Sequence, residues 1–317
     1  EILTMMRYVV EETKDIYNAL FRRLVGSEHI APWDMMYLIN TKDPFAQLTV
    51  PTNPQQLLAL NLEFFKALGY DMSFLGRFFD HKQEDVFLDI ENRNGKRSCA
   101  AMSSLGALST GIIFYYDPIT FEGRTRKRWS AFPHEMGHIV HAVYSRNVAG
   151  VSPAFVGESV PTMETFSLFH ERVADTQDAL YYFRDTLGYD DTQKELLAAW
   201  GLFQTLNGLY NIARVSIAEI EMHIHGTGDA RKYVHEANLL VQPDVVDTSH
   251  IQPSAAYMIT PHLWGSPGYY CSYFLAELNR IALAHAMQEN HGKLFSEKTG
   301  PFLVENMITG NATPMCE

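Results

Sequence analysis

Two histidines four residues apart constrain this chain more than any other feature: His134-Glu135-Met136-Gly137-His138. Residues at i and i+4 share one face of an α-helix, so a helix here brings both imidazoles to one point. Glu135, beside the first histidine, then faces the position left open for a water. Two imidazole ligands with a carboxylate base beside them are the parts needed for metal-assisted hydrolysis at a zinc centre.

A catalytic zinc takes a third protein ligand and leaves its fourth position to water. Downstream of His138 the chain offers His141, Glu158, Glu164, His170, Glu171 and Asp175. His141 is one turn on, but three ligands from two adjacent turns do not readily surround one ion tetrahedrally. A carboxylate from a second helix does. Glu164 lies in Pro161-Thr162-Met163-Glu164-Thr165-Phe166-Ser167, after a proline-marked helix start. The intervening loop, Asn147 to Ser159, holds two glycines and a proline and can return the chain antiparallel. Glu164 is therefore the expected third ligand, ahead of Glu158 and Glu171. Glu171, seven residues further on the same face, is either a solvated glutamate or a partner that orients a ligating imidazole. His141 and His170 read as hydrogen-bonded structural histidines. Pro133 requires that the helix start near Phe132 or kink there, and the i, i+4 geometry survives both.

The 317 residues, 46% hydrophobic and 20% charged, suit a globular chain of one large or two smaller domains. A net charge of −12 argues against a nucleic-acid backbone as main partner. The basic run Arg124-Thr125-Arg126-Lys127-Arg128 is too short and isolated to change that, and reads as a solvated loop. Cys99, Cys271 and Cys316 are too few for a disulfide framework and match a reducing, intracellular compartment. No apolar run approaches the ~18 residues of a membrane span. Glu1, Glu11, Glu12 and Asp15 contradict both a secretory signal and a transit peptide, so the start reads as a mature or trimmed form.

Met5 to Leu24 reads as an amphipathic helix with Met6, Val9, Val10, Ile16, Leu20 and Leu24 on its apolar face. Pro54 opens a second helix, running to Leu68 and closed by Gly69. Glu84 to Ile90 and Gly111 to Tyr116 are β-branched and aromatic and predict strands, with Arg97 to Ser103 as a third. After Trp129 the pattern is mainly helical, including a long segment from about Thr192 to His225. Gly226-Thr227-Gly228 and Gln242 to Pro267 interrupt it. The implied architecture is mainly α, with one small sheet at about 84–116 before the histidine motif.

Several blocks, in order, resemble the family of thimet oligopeptidase, oligopeptidase F and mitochondrial intermediate peptidase. HEMGHIVH resembles that family's metal helix, and PTMETFSLFHE the segment whose third zinc ligand falls on Glu164. DVFLDIENRNGKRSCAAM resembles its sheet segment, and His262 to Tyr273 a loop and helix in which a histidine is followed by tyrosines. The HEMGH wording and GYYCSYFLAELNR lean toward the mitochondrial intermediate peptidase branch. The resemblance implies a zincin-like, clam-shaped helical fold with a deep channel, cleaving short unfolded peptides with one Zn²⁺. It implies one catalytic domain over 1–317, with metal helices at about 132–184 and an oxyanion loop and helix at about 260–290. It implies a piece of a longer enzyme, leaves room for further polypeptide to complete the channel, and points to the mitochondrial matrix or cytoplasm. Catalysis would fall to Glu135, with His262, Tyr270 and Tyr273 donating hydrogen bonds to the oxyanion. Two departures stand out: Ser266 where the family places a tyrosine four after its histidine, and Pro267 in a loop that is otherwise glycine-rich. They motivate a second reading, a metal-bearing homologue that holds peptides without cutting them or needs a partner to act. A helical scaffold with an accidental HEMGH is the third.

Overall fold

The structure is a computed structural model that describes residues 1–26, 29–48, 51, 53–75, 86–88, 110–112, 130–147, 159–226, 230–251 and 266–307. Among these the chain is mostly helical, as the periodicity predicts. Packing divides it into two compact units: Glu1–Pro44 with Glu195–Glu277, and Phe45–Lys194 with Leu278–Glu317.

The first unit is built on α1 (Ile2–Val25), whose buried stripe is Met6, Val10, Tyr17, Phe21 and Val25. This corrects the predicted face. Ile16 is 54% exposed, because the larger Tyr17 and Phe21 rings take the core and turn the buried stripe by about one residue. Tyr17 stacks on Phe203 at 5.8 Å and donates to Asn207 at 2.9 Å, both on the long helix Lys194–His225. Gly26, at φ 73°, ends α1 with its N–H on the Arg22 carbonyl, a left-handed cap that favours glycine. The long helix stops at His225, where Gly226 also has a positive φ of 78°. A further helix, Ala230–Val241, ends where the predicted interruption begins.

The second unit carries the histidine motif. Its first long helix, Pro54–Ala67, starts with Asn53 accepting from the Gln55 and Gln56 amides and with Pro54 in the first turn. Gly69 closes it at φ 81°, and a Cβ there would sit 1.8 Å from the Glu297 carbonyl oxygen. That approach, with Gly300 N–H donating to Leu68 O at 2.7 Å, seats the last helix, Thr299–Met307, beside the turn. Phe64, Phe65, Phe183 and Phe295 form an aromatic cluster, with Phe64 stacked on Phe295 at 6.0 Å. Val86–Leu88 and Thr110–Ile112 pair in parallel, Val86 opposite Thr110 and Leu88 opposite Ile112. The remainder of the predicted sheet, Arg97 to Ser103 and 113–116 included, lies outside the described residues. No described helix is long and apolar enough to cross a membrane.

Candidate metal centre

Two helices build the site. The first, here αM, spans Ala131–Asn147, and the second, αL, spans Val160–Ala174. Pro133 is the third residue of αM, inside the turn whose amides have no intrahelical acceptor, and His134 N–H bonds Ser130 O at 3.1 Å. The helix therefore starts two residues before the proline, which sits in its first turn, and runs unbroken to Asn147. Pro161 plays the same part at the start of αL. Met136, Ile139, Val140 and Val143 of αM are buried, as are Phe166, Phe169 and Val173 of αL. Each such side chain contributes about 1.5–3 kcal/mol to holding its helix in place.

Gly137 marks where the two helices meet. A Cβ on it would lie 2.9 Å from His170 Nδ1, 3.0 Å from Ser167 Cα and 3.2 Å from Phe166 O. The absent side chain lets αL come close enough to present Glu164 to the histidines.

His134 Nε2 and His138 Nε2 each lie 3.5 Å from the same oxygen, Oε2 of Glu164. Zinc bonded at 2.0–2.1 Å to three tetrahedral donors separates them by about 3.4 Å. Both nitrogen–oxygen separations thus match an edge of a zinc tetrahedron, and all three ligand atoms lie within 4.8 Å of one another. His134, His138 and Glu164 are the one group among the described residues whose ligand atoms converge in this way. The residues fit a metal ion.

The surroundings favour positive charge at this point. Burial alone would lower the His134 pKa, but the Glu171 hydrogen bond and the charges of Glu135, Glu171 and Glu164 push it up to about 9. Glu171 Oε2 accepts from His134 Nδ1 at 2.9 Å, which turns Nε2 toward Glu164. Of the two roles open to Glu171, the structure puts it on the imidazole. His138 is held well below the usual histidine range by burial and by His134, His141 and His170, so its ring is neutral and its lone pair available. Ser167 Oγ lies 3.0 Å from Glu164 Oε2 and fixes the carboxylate.

Glu135 is 7% exposed on αM beside His134. His141 is buried and packs on the Phe166 ring at 4.4 Å, outside the converging set. His170 is fully buried with both nitrogens bonded inside the protein. Glu158 and His262 lie outside the described residues. Tyr270 and Tyr273 open the helix Tyr269–His291, their rings 5.8 Å apart, in the other compact unit from the metal cluster. Ser266 and Pro267 form the turn before it, with Tyr269 N–H on Ser266 O at 3.1 Å. The buried Glu219 holds that turn by accepting from Gly268 N–H at 2.6 Å. Burial raises the Tyr270 pKa, Arg214 opposing and Glu219 adding, so the phenol keeps its proton at neutral pH.

Reasoning from the sequence alone did not find Ser167, Tyr70 or Glu219. Ser167 carries a faint signal, standing one turn after Glu164; the others depend on tertiary contacts.

No curated protein matches the chain significantly. The model of peptidase family M3 matches residues 4–307, nearly the whole chain and all of the cluster just described. This chain belongs to peptidase family M3, a family of zinc-dependent metallopeptidases.

Proposed function

We propose that the chain is a zinc-dependent endopeptidase acting on short, unfolded oligopeptides. The observation that carries this is the approach of two imidazole nitrogens to within 3.5 Å of one buried carboxylate oxygen, with Glu135 and Glu171 beside them. His134, His138 and Glu164 are the residues that would hold one Zn²⁺. Bound there, zinc supplies Lewis acidity, lowering the pKa of water toward neutrality and polarising a carbonyl.

The chain's own groups do the rest. Glu135 takes the proton from the attacking water and returns it to the leaving amine. Glu171 holds the His134 ring in the tautomer that exposes Nε2, and Ser167 steadies Glu164. Phenols at Tyr270 and Tyr273, neutral donors, and the imidazole of His262 stabilise the oxyanion, a role taken from the family resemblance. The segment expected as a strand, Gly111 to Tyr116, would hold an extended peptide by main-chain pairing, the ordinary means of binding unfolded substrates without reading their side chains. A mitochondrial-matrix or cytoplasmic location is part of this proposal and rests on the same resemblance alone.

The test is a quenched-fluorescent oligopeptide assay on metal-free protein titrated with zinc. The reading expects cleavage inside the peptide that appears as zinc is added and saturates at one ion per chain. Zinc uptake with peptide binding and no cleavage would overturn it in favour of a binding homologue.

A further inference from the structure

His170 stands one residue before Glu171 on αL and is fully buried, yet it belongs to neither the ligand set nor the aromatic core alone. Its Nδ1 lies 2.6 Å from Phe166 O, an atom that only accepts, so Nδ1 carries a hydrogen. Its Nε2 lies 2.8 Å from the hydroxyl of Tyr70. Burial lowers the His170 pKa to about 4, with His141 and His134 acting in the same sense against the Phe166 carbonyl, so the ring is neutral. A neutral ring with hydrogen on Nδ1 must accept at Nε2, and Tyr70 Oη is the donor. The bond order is then fixed as Tyr70 O–H to His170 Nε2, and His170 Nδ1–H to Phe166 O.

Tyr70 is placed independently of αL. It follows Gly69 in the turn that closes Pro54–Ala67, with its own N–H on Phe65 O at 3.2 Å. Phe65 flanks His170 at 5.0 Å between ring centroids, so the imidazole is held from that side as well. A Cβ on Gly137 would come within 2.9 Å of Nδ1, so the ring also lies against αM at that point. The ring is therefore wedged between the Tyr70 turn and the backbone of αM, one residue from His138.

We propose that Tyr70 and His170 are positioning residues for the metal centre, a hydroxyl–imidazole–carbonyl chain that sets how closely αL approaches αM at Gly137 and so the separation of His138 Nε2 from Glu164 Oε2. The proposal rests on the metallopeptidase reading above. Apolar packing alone tolerates sliding of a few tenths of an ångström; here the bond to Phe166 O, four residues back on αL itself, fixes the ring to its own helix, and the directional Tyr70 bond then ties that helix to the Tyr70 turn. Metal ligation needs that, since donor distances matter to about 0.2 Å.

The experiment measures zinc affinity of the full chain by competition with a chromophoric chelator, alongside the visible absorption of the cobalt-substituted protein, in wild type, Tyr70→Phe, His170→Phe and His170→Gln. Glutamine offers one acceptor and one donor and can restore both bonds. Tyr70→Phe and His170→Phe are expected to weaken zinc binding about tenfold or more and to shift the cobalt bands. His170→Gln is expected to return both toward wild type. Far-UV circular dichroism checks folding, and if His170→Phe fails to fold, Tyr70→Phe, which removes a single hydroxyl, decides. Wild-type affinity and cobalt spectrum in folded Tyr70→Phe would overturn the proposal while leaving the metallopeptidase reading intact. Failure of the wild-type protein to take up zinc would overturn both.

Discussion

Glu171 shows what a single distance adds to a residue. Seven positions after Glu164, it lies on the same helical face whether it is solvated or bonded to a ligand, and only its 2.9 Å contact with His134 Nδ1 separates the two. Substituting Glu171→Gln keeps the shape and removes the charge, and is expected to weaken zinc binding about 10- to 100-fold, measured by chelator competition. Glu135→Gln should behave differently. With the base gone and the ligands intact, turnover of a quenched peptide is expected to fall by about 10²–10⁴-fold while zinc content stays unchanged. His170 supplies a pH test. Its folded-state pKa of about 4 is below the ordinary 6.5, with His134 and His141 on αM and Tyr70 as its titratable neighbours. The unfolded chain therefore takes up that proton first, and metal-free native protein loses stability as pH falls from 6.5 toward 4. The loss attributable to this ring is roughly 2 kcal/mol between pH 7.5 and 5. Denaturant melts of wild type and His170→Gln across that range should diverge by this amount; parallel curves would contradict it. At this scale the sequence exposed His134, Glu135, His138 and Glu164, because their chemistry imposes a spacing. Ser167 leaves only a faint trace, one turn after Glu164, and Tyr70 and the wedge role of His170 impose no spacing, since their contact joins residues 100 positions apart.

At the level of elements, the crossing of the two ligand-bearing helices turns on Gly137. Gly137→Ala gains up to about 1 kcal/mol of helix propensity but drives a methyl group to 2.9 Å from His170 Nδ1 and 3.0 Å from Ser167 Cα. Overpacking of that kind costs about 1–3 kcal/mol, so a net loss of stability is expected in denaturant melts, together with weaker zinc binding as αL moves away. Unchanged affinity would mean that the ligands tolerate a wider crossing. Most helices were legible because their signals are local. Pro54 and Gly69 bracket one, Gly226 stops the long one, and a proline in the first turn starts both αM and αL. The buried face of α1 was less so. Its apolar residues permit two adjacent stripes, and the choice between them was made by partners on the long helix, Phe203 and Asn207, which periodicity does not register.

For the whole molecule, the division into two units has a consequence for metal binding. His134, His138 and Glu164 all come from the Phe45–Lys194 segment, so the ligand set needs only one unit to be complete. A ligand that binds the native state alone stabilises it by about 2.7 kcal/mol at a hundred times its dissociation constant. Zinc at that level should raise the denaturant midpoint of wild type, and Glu164→Ala should abolish the shift. The start of the tyrosine helix, with Tyr270 and Tyr273, belongs to the other unit, and the catalytic role proposed for it was readable only through family resemblance, because aromatic residues at helical spacing are equally good core. The central claim concerns the metal, and zinc K-edge X-ray absorption of the loaded protein tests it most directly. The account predicts a four-coordinate shell of nitrogen and oxygen near 2.0–2.1 Å with outer-shell scattering from two imidazoles, reduced to one in His138→Ala. Zinc bound through sulfur, or a shell without imidazole scattering, would contradict it.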